Sequence, residues 1–224
     1  MLLTIPGVIT GDELALVRSW LAAAPFVDGQ LSAGAAARRV KHNQELDHGV
    51  EFLERLNRVV MGNLVRHPAY RAGALPLHAA SPLYARYRPG MAYGDHLDDP
   101  IMGADGVKYR SDIAITIFLS APDEYAGGEL VIGAHAGGHV VKLPAGDAVL
   151  YPAGTLHRVN PVTHGERLVA VTWVQSLVRD PGQRELLHGL NAARERLLQS
   201  APDTIEAAQV NAAYLNLIRM WSDL

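Results

Sequence analysis

Along the 224-residue chain the spacing of hydrophobic and polar positions changes twice, dividing it into a helical, an extended and a second helical stretch. Leu14, Val17 and Leu21 recur at helical spacing behind Thr10 and Glu13, which are spaced as a capping box, so a helix is expected from about Asp12 to Ala23. Residues Asp28 to Arg39 are rich in Gly, Ala and Ser, lack a clear period and read as a loop. Val50, Leu53, Leu56, Val60 and Leu64 restore a helical stripe. Two helices suited to covering a sheet are the result.

From Ser81 the period shortens. Leu83 to Arg88, Asp112 to Leu119, Glu129 to Ile132, His139 to Leu143, Ala148 to Tyr151 and Arg167 to Gln175 all read as strands. Pro89-Gly90, Gly127-Gly128, Gly137-Gly138, Pro144-Ala-Gly146 and Pro152-Ala-Gly154 separate them, as turns of an antiparallel sandwich or barrel do. After Asp180-Pro181 the helical period returns, first through Leu186, Leu187, Leu190, Ala193 and Leu197, then through Ile205, Ala208, Ala212, Leu215, Ile218 and Trp221. The expected class is α+β: an N-terminal helical support (1–80), a β core (81–178) and a C-terminal helical extension (179–224). That extension is read as packed on the core, although a homo-oligomer formed through these helices is equally physical.

Composition narrows the partners. At 49 % hydrophobic residues the chain can bury one substantial core, and its net charge of −3 gives no field for nucleic acid. Cysteine is absent, so any metal must take nitrogen and oxygen ligands. The N-terminus lacks a basic segment leading into an apolar one, and no run of roughly 18 apolar residues follows. A cytoplasmic protein with no membrane partner is expected.

Candidate chemistry lies in Tyr93-Gly-Asp-His96-Leu-Asp98, where a period of two turns His96 and Asp98 to one face of an extended segment. His157, about sixty residues on, follows the turn Pro152-Ala-Gly-Thr-Leu, where antiparallel strands would return it to that pair. Two imidazoles and one carboxylate on one side of an ion leave positions open, as Fe(II) oxygenases require. Arg167 begins an apolar strand whose alternation puts Arg167, Val169, Val171 and Trp173 on one face. A guanidinium inside an apolar barrel needs an anion; a dicarboxylate chelating iron at one end would present its far carboxylate there, while pairing with solvent or an acidic side chain is the plainer alternative.

Several pieces occur together in order: Tyr87-Arg-Pro-Gly-Met-Ala-Tyr-Gly-Asp-His96-Leu-Asp98, Phe118-Leu-Ser120 with Gly127-Gly-Glu-Leu130, Leu143-Pro-Ala-Gly-Asp147, Tyr151-Pro152 through His157, and Arg167. With them, Tyr87 to Asp180 resembles the prolyl-4-hydroxylase-like Fe(II)/2-oxoglutarate-dependent dioxygenases, above all the bacterial PKHD-type hydroxylases. The likeness continues into Asn216-Leu-Ile-Arg-Met-Trp-Ser-Asp223. It implies a double-stranded β-helix (jelly-roll) core, Fe(II) on His96, Asp98 and His157, and 2-oxoglutarate anchored by Arg167. It also implies hydroxylation of a small-molecule or peptide substrate by O2, with release of succinate and CO2, and L-ascorbate as a candidate reductant. Tyr87 occupies the place where related enzymes hydrogen-bond the cosubstrate. Where some relatives carry a second such tyrosine this chain has Phe118, leaving Thr116 or Thr172 as weak substitutes.

Other polar residues invite plainer readings. His67, His78, His164 and His188 lack partners at ligand spacing and are expected at the surface or as caps, and His135 and His139 as solvated loop residues. Asp99 should face away from Asp98, Trp173 reads as core with a pocket wall as the alternative, and Arg38-Arg-Val-Lys-His42 reads as a solvated basic face with contact to an anionic substrate as the alternative. Two rival functions share the ligand set: a cupin-like metal enzyme without 2-oxoglutarate, and a non-catalytic metal or ligand sensor.

Overall fold

The longest strand expected from the sequence, beginning at Arg167, becomes the middle of the larger of two facing antiparallel sheets. The computed structural model describes residues 1–103, 106–133 and 137–224. Its N-terminal part contains β1 (Leu3–Ile5), α1 (Gly11–Ala22), β2 (Phe26–Asp28), α2 (Ala35–Arg38), β3 (Lys41–His42), β4 (Gln44–Leu46), α3 (Leu53–Arg66), α4 (Pro68–Ala74) and β5 (Pro76–Ala79). The middle part contains β6 (Leu83–Tyr87), β7 (Ala92–His96), β8 (Ile101–Met102), β9 (Tyr109–Arg110), β10 (Ile113–Phe118), β11 (Tyr125–Gly127) and β12 (Leu130–Ile132). It continues with β13 (His139–Val141), β14 (Ala148–Pro152), β15 (His157–Val159), β16 (Val162–Gly165) and β17 (Arg167–Ser176). Helices α5 (Pro181–Ser200) and α6 (Ile205–Trp221) close the chain. His135 lies outside the described residues.

The larger sheet runs β1-β14-β10-β17-β6-β4-β2, with β5 also on β17, and the smaller runs β13-β12-β15-β7-β3. Strand alternation builds a separate core on each side of β17. Leu168, Ala170 and Val174 join Val17 and Leu21 of α1 and Leu56, Val60 and Leu64 of α3, the i, i+4, i+8 stripe of an amphipathic helix. Val169, with Val171 and Trp173, turns to the cluster of Tyr87, Phe118, Leu130, Tyr151 and Val159 between the sheets. This is the jelly-roll architecture expected, with α1 and α3 on the outer face of the larger sheet.

Three features of the N-terminal part depart from the sequence reading. Thr10 is the N-cap of α1, but its side chain makes no capping bond; the entry is held instead by Ile9 N–H on the Gly146 carbonyl at 3.1 Å. The stretch read as a loop contains the end of β2, a 3-10 turn (Gly29–Ser32) and α2. Beyond it, β3 pairs with β7 and β4 with β6, so residues 41–46 step from the smaller sheet to the larger. Two- and three-residue strands show no alternation to read; pairing with longer neighbours defines them.

The C-terminal helices begin as the sequence predicts. Asp180 accepts from Gln183 N–H at 2.8 Å ahead of Pro181, and Thr204 caps α6 through Ala207 N–H. They pack on their own chain through Leu187, Tyr214, Leu217, Ile218 and Trp221 against Leu75 and Val178. Among the described residues, no helix is long and apolar enough to cross a membrane.

Candidate metal centre and anion pocket

Register brings the candidate metal ligands together. His157 of β15 lies directly opposite His96 of β7, so the two imidazoles leave neighbouring strands on one face, with ring centroids 4.2 Å apart. Asp98 lies two residues beyond the end of β7, and its Oδ1 comes 3.8 Å from His157 Nε2. One ligand atom from each of His96, Asp98 and His157 lies within 4.8 Å of the others, and this is the one such cluster among the described residues.

Neighbouring groups orient the donors. His96 Nδ1 is 2.8 Å from the Gly94 carbonyl and His157 Nδ1 is 2.9 Å from the Thr155 carbonyl. Each carbonyl accepts the Nδ1 proton, which leaves Nε2 as the free lone pair. Tyr93 stacks on His96 at 3.5 Å, and Tyr151 meets His157 edge-on at 5.2 Å. Burial, then the His157 ring, holds His96 down to about 3, so it is neutral and needs no deprotonation to bind a metal. Burial also pushes the Asp98 carboxyl up, and its Oδ2 has no hydrogen-bond partner. A buried carboxylate with an unpartnered oxygen beside two imidazole rings fits a divalent cation, whose charge would offset that desolvation.

Arg167 lies opposite Tyr87 across the β17–β6 pair and is the largest fully buried side chain, at 1 % exposure. Its guanidinium stands 5.0 Å from the Tyr87 ring centroid and 5.6 Å from that of Phe118. It forms no ion pair, and its Nε has no acceptor among the described residues. The plainer alternative, an arginine reaching solvent or an acidic side chain, is therefore not what folds. Burial pushes the Tyr87 hydroxyl pKa up, against the pull of the nearby Arg167 charge and of Asn43. His96, Asp98, His157, Arg167 and Tyr87 all line a single cavity of about 430 Å³.

Several neighbours differ from the sequence expectation. Lys41 is buried and pairs with Glu45, since alternation along β3 turns it into the cavity while His42 faces solvent. Trp173 packs against the inner core cluster and also walls the cavity, with its indole nitrogen beside Asp98. Thr172 points the other way and donates to the Ala80 carbonyl at 2.7 Å, while Thr116 lines the cavity, as Tyr151 does. His67 caps α4 by accepting from Ala69 N–H, and His139 is exposed, as the sequence suggested. Asn43 and Tyr125 carried no signal in the local pattern; Gly127-Gly128, read as a turn and as part of a family motif, begins two residues after Tyr125.

A jelly-roll cavity with a two-histidine, one-carboxylate cluster and a buried unpaired arginine is the arrangement of an Fe(II)/2-oxoglutarate oxygenase, and residues 82–175 match the model of the 2OG-Fe(II) oxygenase superfamily. Residues 181–223 match the PKHD-type hydroxylase C-terminal domain. A PKHD-type hydroxylase of Thioalkalivibrio sulfidiphilus is 49 % identical over 100 % of both chains, and one of Stenotrophomonas maltophilia is 44 % identical over 100 % of both. The chain belongs to the PKHD-type hydroxylases, enzymes dependent on Fe(II) and 2-oxoglutarate. Among solved structures, a 2OG-Fe(II) oxygenase-family oxidoreductase of Burkholderia pseudomallei superposes with a TM-score of 0.53 at 18 % identity, covering 77 % of this chain and 82 % of that one. HygX of Streptomyces hygroscopicus, solved with nickel and 2-oxoglutarate, gives 0.52 at 17 % identity over 79 % and 84 %. These two likenesses bear on the fold.

Proposed function

We propose that His96, Asp98 and His157 ligate Fe(II), that Arg167 receives the distal carboxylate of 2-oxoglutarate, and that Tyr87 helps to hold the cosubstrate. The observation that carries this reading is one cavity containing an uncompensated buried carboxylate, Asp98, and an uncompensated buried guanidinium, Arg167. A metal cation answers the first and a dicarboxylate the second. When bound, the iron supplies the oxidative chemistry that couples decarboxylation of 2-oxoglutarate, giving succinate and CO2, to hydroxylation of a substrate C–H bond. The chain supplies donor orientation through the Gly94 and Thr155 carbonyls, charge through Arg167, and an aromatic wall of Tyr93, Tyr151 and Trp173. Ascorbate would serve to return iron oxidised in unproductive turnover to Fe(II).

The substrate is proposed to be a peptide, an amino acid or a siderophore-like small molecule. Leu97 and Ile101 line the cavity yet remain more than half exposed, which gives the mouth an apolar lip. Residues 81–178 are proposed as the catalytic core, supported by 1–80 and extended by 179–224, in a cytoplasmic protein. Incubation of iron-loaded protein with 2-oxoglutarate and O2 should release succinate slowly, and faster when a substrate is added. Folded, iron-loaded protein that forms no succinate under any tested substrate, and no visible absorption band with 2-oxoglutarate under anaerobic conditions, would refute the assignment.

A further inference from the structure

Two neighbouring residues each carry a buried polar atom without a hydrogen-bond partner among the described residues: Arg167 Nε, whose residue lines the cavity, and Tyr125 Oη, whose ring packs beside Arg167. Tyr125 belongs to β11, where it pairs with Gly165, two residues ahead of Arg167 in the chain. The register therefore delivers the phenol to the guanidinium. Burial pushes its pKa up, and the nearby Arg167 charge and hydrogen-bonding group pull against that rise.

The tyrosine ring is held from several sides. Lys142 Nζ stands 4.0 Å above it and donates to the Tyr125 carbonyl at 2.7 Å. On another side is Gly128, at φ +66°, where a Cβ would lie 3.1 Å from both Tyr125 Cε2 and Arg167 Cδ. The absent side chain is what lets the two residues approach each other. Of the neighbouring residues weighed from the sequence, Thr172 donates to the Ala80 carbonyl and Phe118 has no hydroxyl. An unpartnered phenol has its proton to donate, and a carboxylate held by the neighbouring guanidinium is an acceptor for it.

We infer that the Tyr125 hydroxyl is the second donor to the distal carboxylate of 2-oxoglutarate, taking the part that Phe118 is unable to play. This rests on the assignment of Arg167 as the carboxylate anchor. The test compares 2-oxoglutarate with 2-oxobutyrate, which offers the same chelating keto acid without a distal carboxylate. Binding of each to Fe(II)-loaded protein is titrated under anaerobic conditions by visible charge-transfer absorption. Tyr125→Phe should weaken 2-oxoglutarate about tenfold, as expected for one hydrogen bond to a charged group, and leave 2-oxobutyrate unchanged. Adding Phe118→Tyr to that variant, which returns a hydroxyl to a ring flanking the guanidinium, should recover part of the loss. Unchanged 2-oxoglutarate affinity in Tyr125→Phe, or equal weakening of both acids, overturns the inference. If Arg167→Ala removes the preference for 2-oxoglutarate while Tyr125→Phe keeps it, only the Tyr125 role fails. If Arg167→Ala keeps the preference, the anchor assignment fails and the Tyr125 role with it.

Discussion

The metal end and the anion end of the cavity are built from different sheets by the same device. At the first, β7 and β15 of the smaller sheet bring His96 opposite His157 and leave Asp98 buried with one oxygen unpartnered. At the second, β6 and β17 of the larger sheet bring Tyr87 opposite Arg167 and leave a buried guanidinium unpaired. Asp98 and Arg167 form no ion pair with each other. The ends differ in what surrounds the charge. Main-chain carbonyls orient the imidazoles at the metal end, whereas aromatic rings and a glycine gap shape the anion end. Burying opposite charges apart costs stability, and two ligands of opposite charge would recover it.

Loss of the metal end should have the largest effect. Asp98→Ala removes a ligand and should weaken metal binding by more than the roughly 100-fold that loss of a supporting hydrogen bond costs, measured by titration of Fe(II) or Mn(II). Cosubstrate binding should fall with it, since chelation needs the ion. Arg167→Ala should instead lower 2-oxoglutarate affinity about 100-fold, about 3 kcal/mol, with metal affinity nearly unchanged. Equal losses of both ligands in Arg167→Ala would make the arginine a structural residue and erase the contrast between the ends.

Acid should act through the metal end. An unfolded histidine takes its proton near 6.5, whereas His96 in the native site takes it near 3. Between those values the unfolded chain binds more protons, so stability is lost as the pH falls from about 6.5 toward 3, on the order of a few kcal/mol. Metal-free protein should show a falling Tm over this window, and His96→Gln should flatten part of the slope. The smallest effect belongs to the anion end. Arg167→Met, which removes an unpaired buried charge at similar volume, should leave metal-free stability unchanged or raise it by about 1 kcal/mol, read by urea unfolding. A clear loss of stability would show that the guanidinium is compensated within the chain.

The two ends were also unequally legible in the sequence. His96 and Asp98 share a period of two, and Arg167 opens an alternating strand, so local pattern gave their orientation. The return of His157 to His96 followed from the turn before it. The anion end depends on short elements: β11 has three residues, β3 two and β4 three, and none has a period of its own. Lys41 consequently read as part of a solvated basic face, and Asn43 and Tyr125 were not singled out. Gly127-Gly128 was visible as a turn, but the need for its second glycine arises only when Tyr125 and Arg167 converge in space. Trp173 lay on the correct face of β17, and whether that face met core or cavity was decided by the opposite sheet.

One cavity is proposed to bind a cation at His96, Asp98 and His157 and a dicarboxylate at Arg167. Anaerobic titration of Fe(II)-loaded protein with 2-oxoglutarate, followed by visible charge-transfer absorption, tests it most directly. The wild type should give a saturable band, His157→Ala should give none, and Arg167→Ala should give the same band only at about 100-fold higher 2-oxoglutarate. Absence of a band in folded wild-type protein, or a band untouched by His157→Ala or by Arg167→Ala, would contradict it.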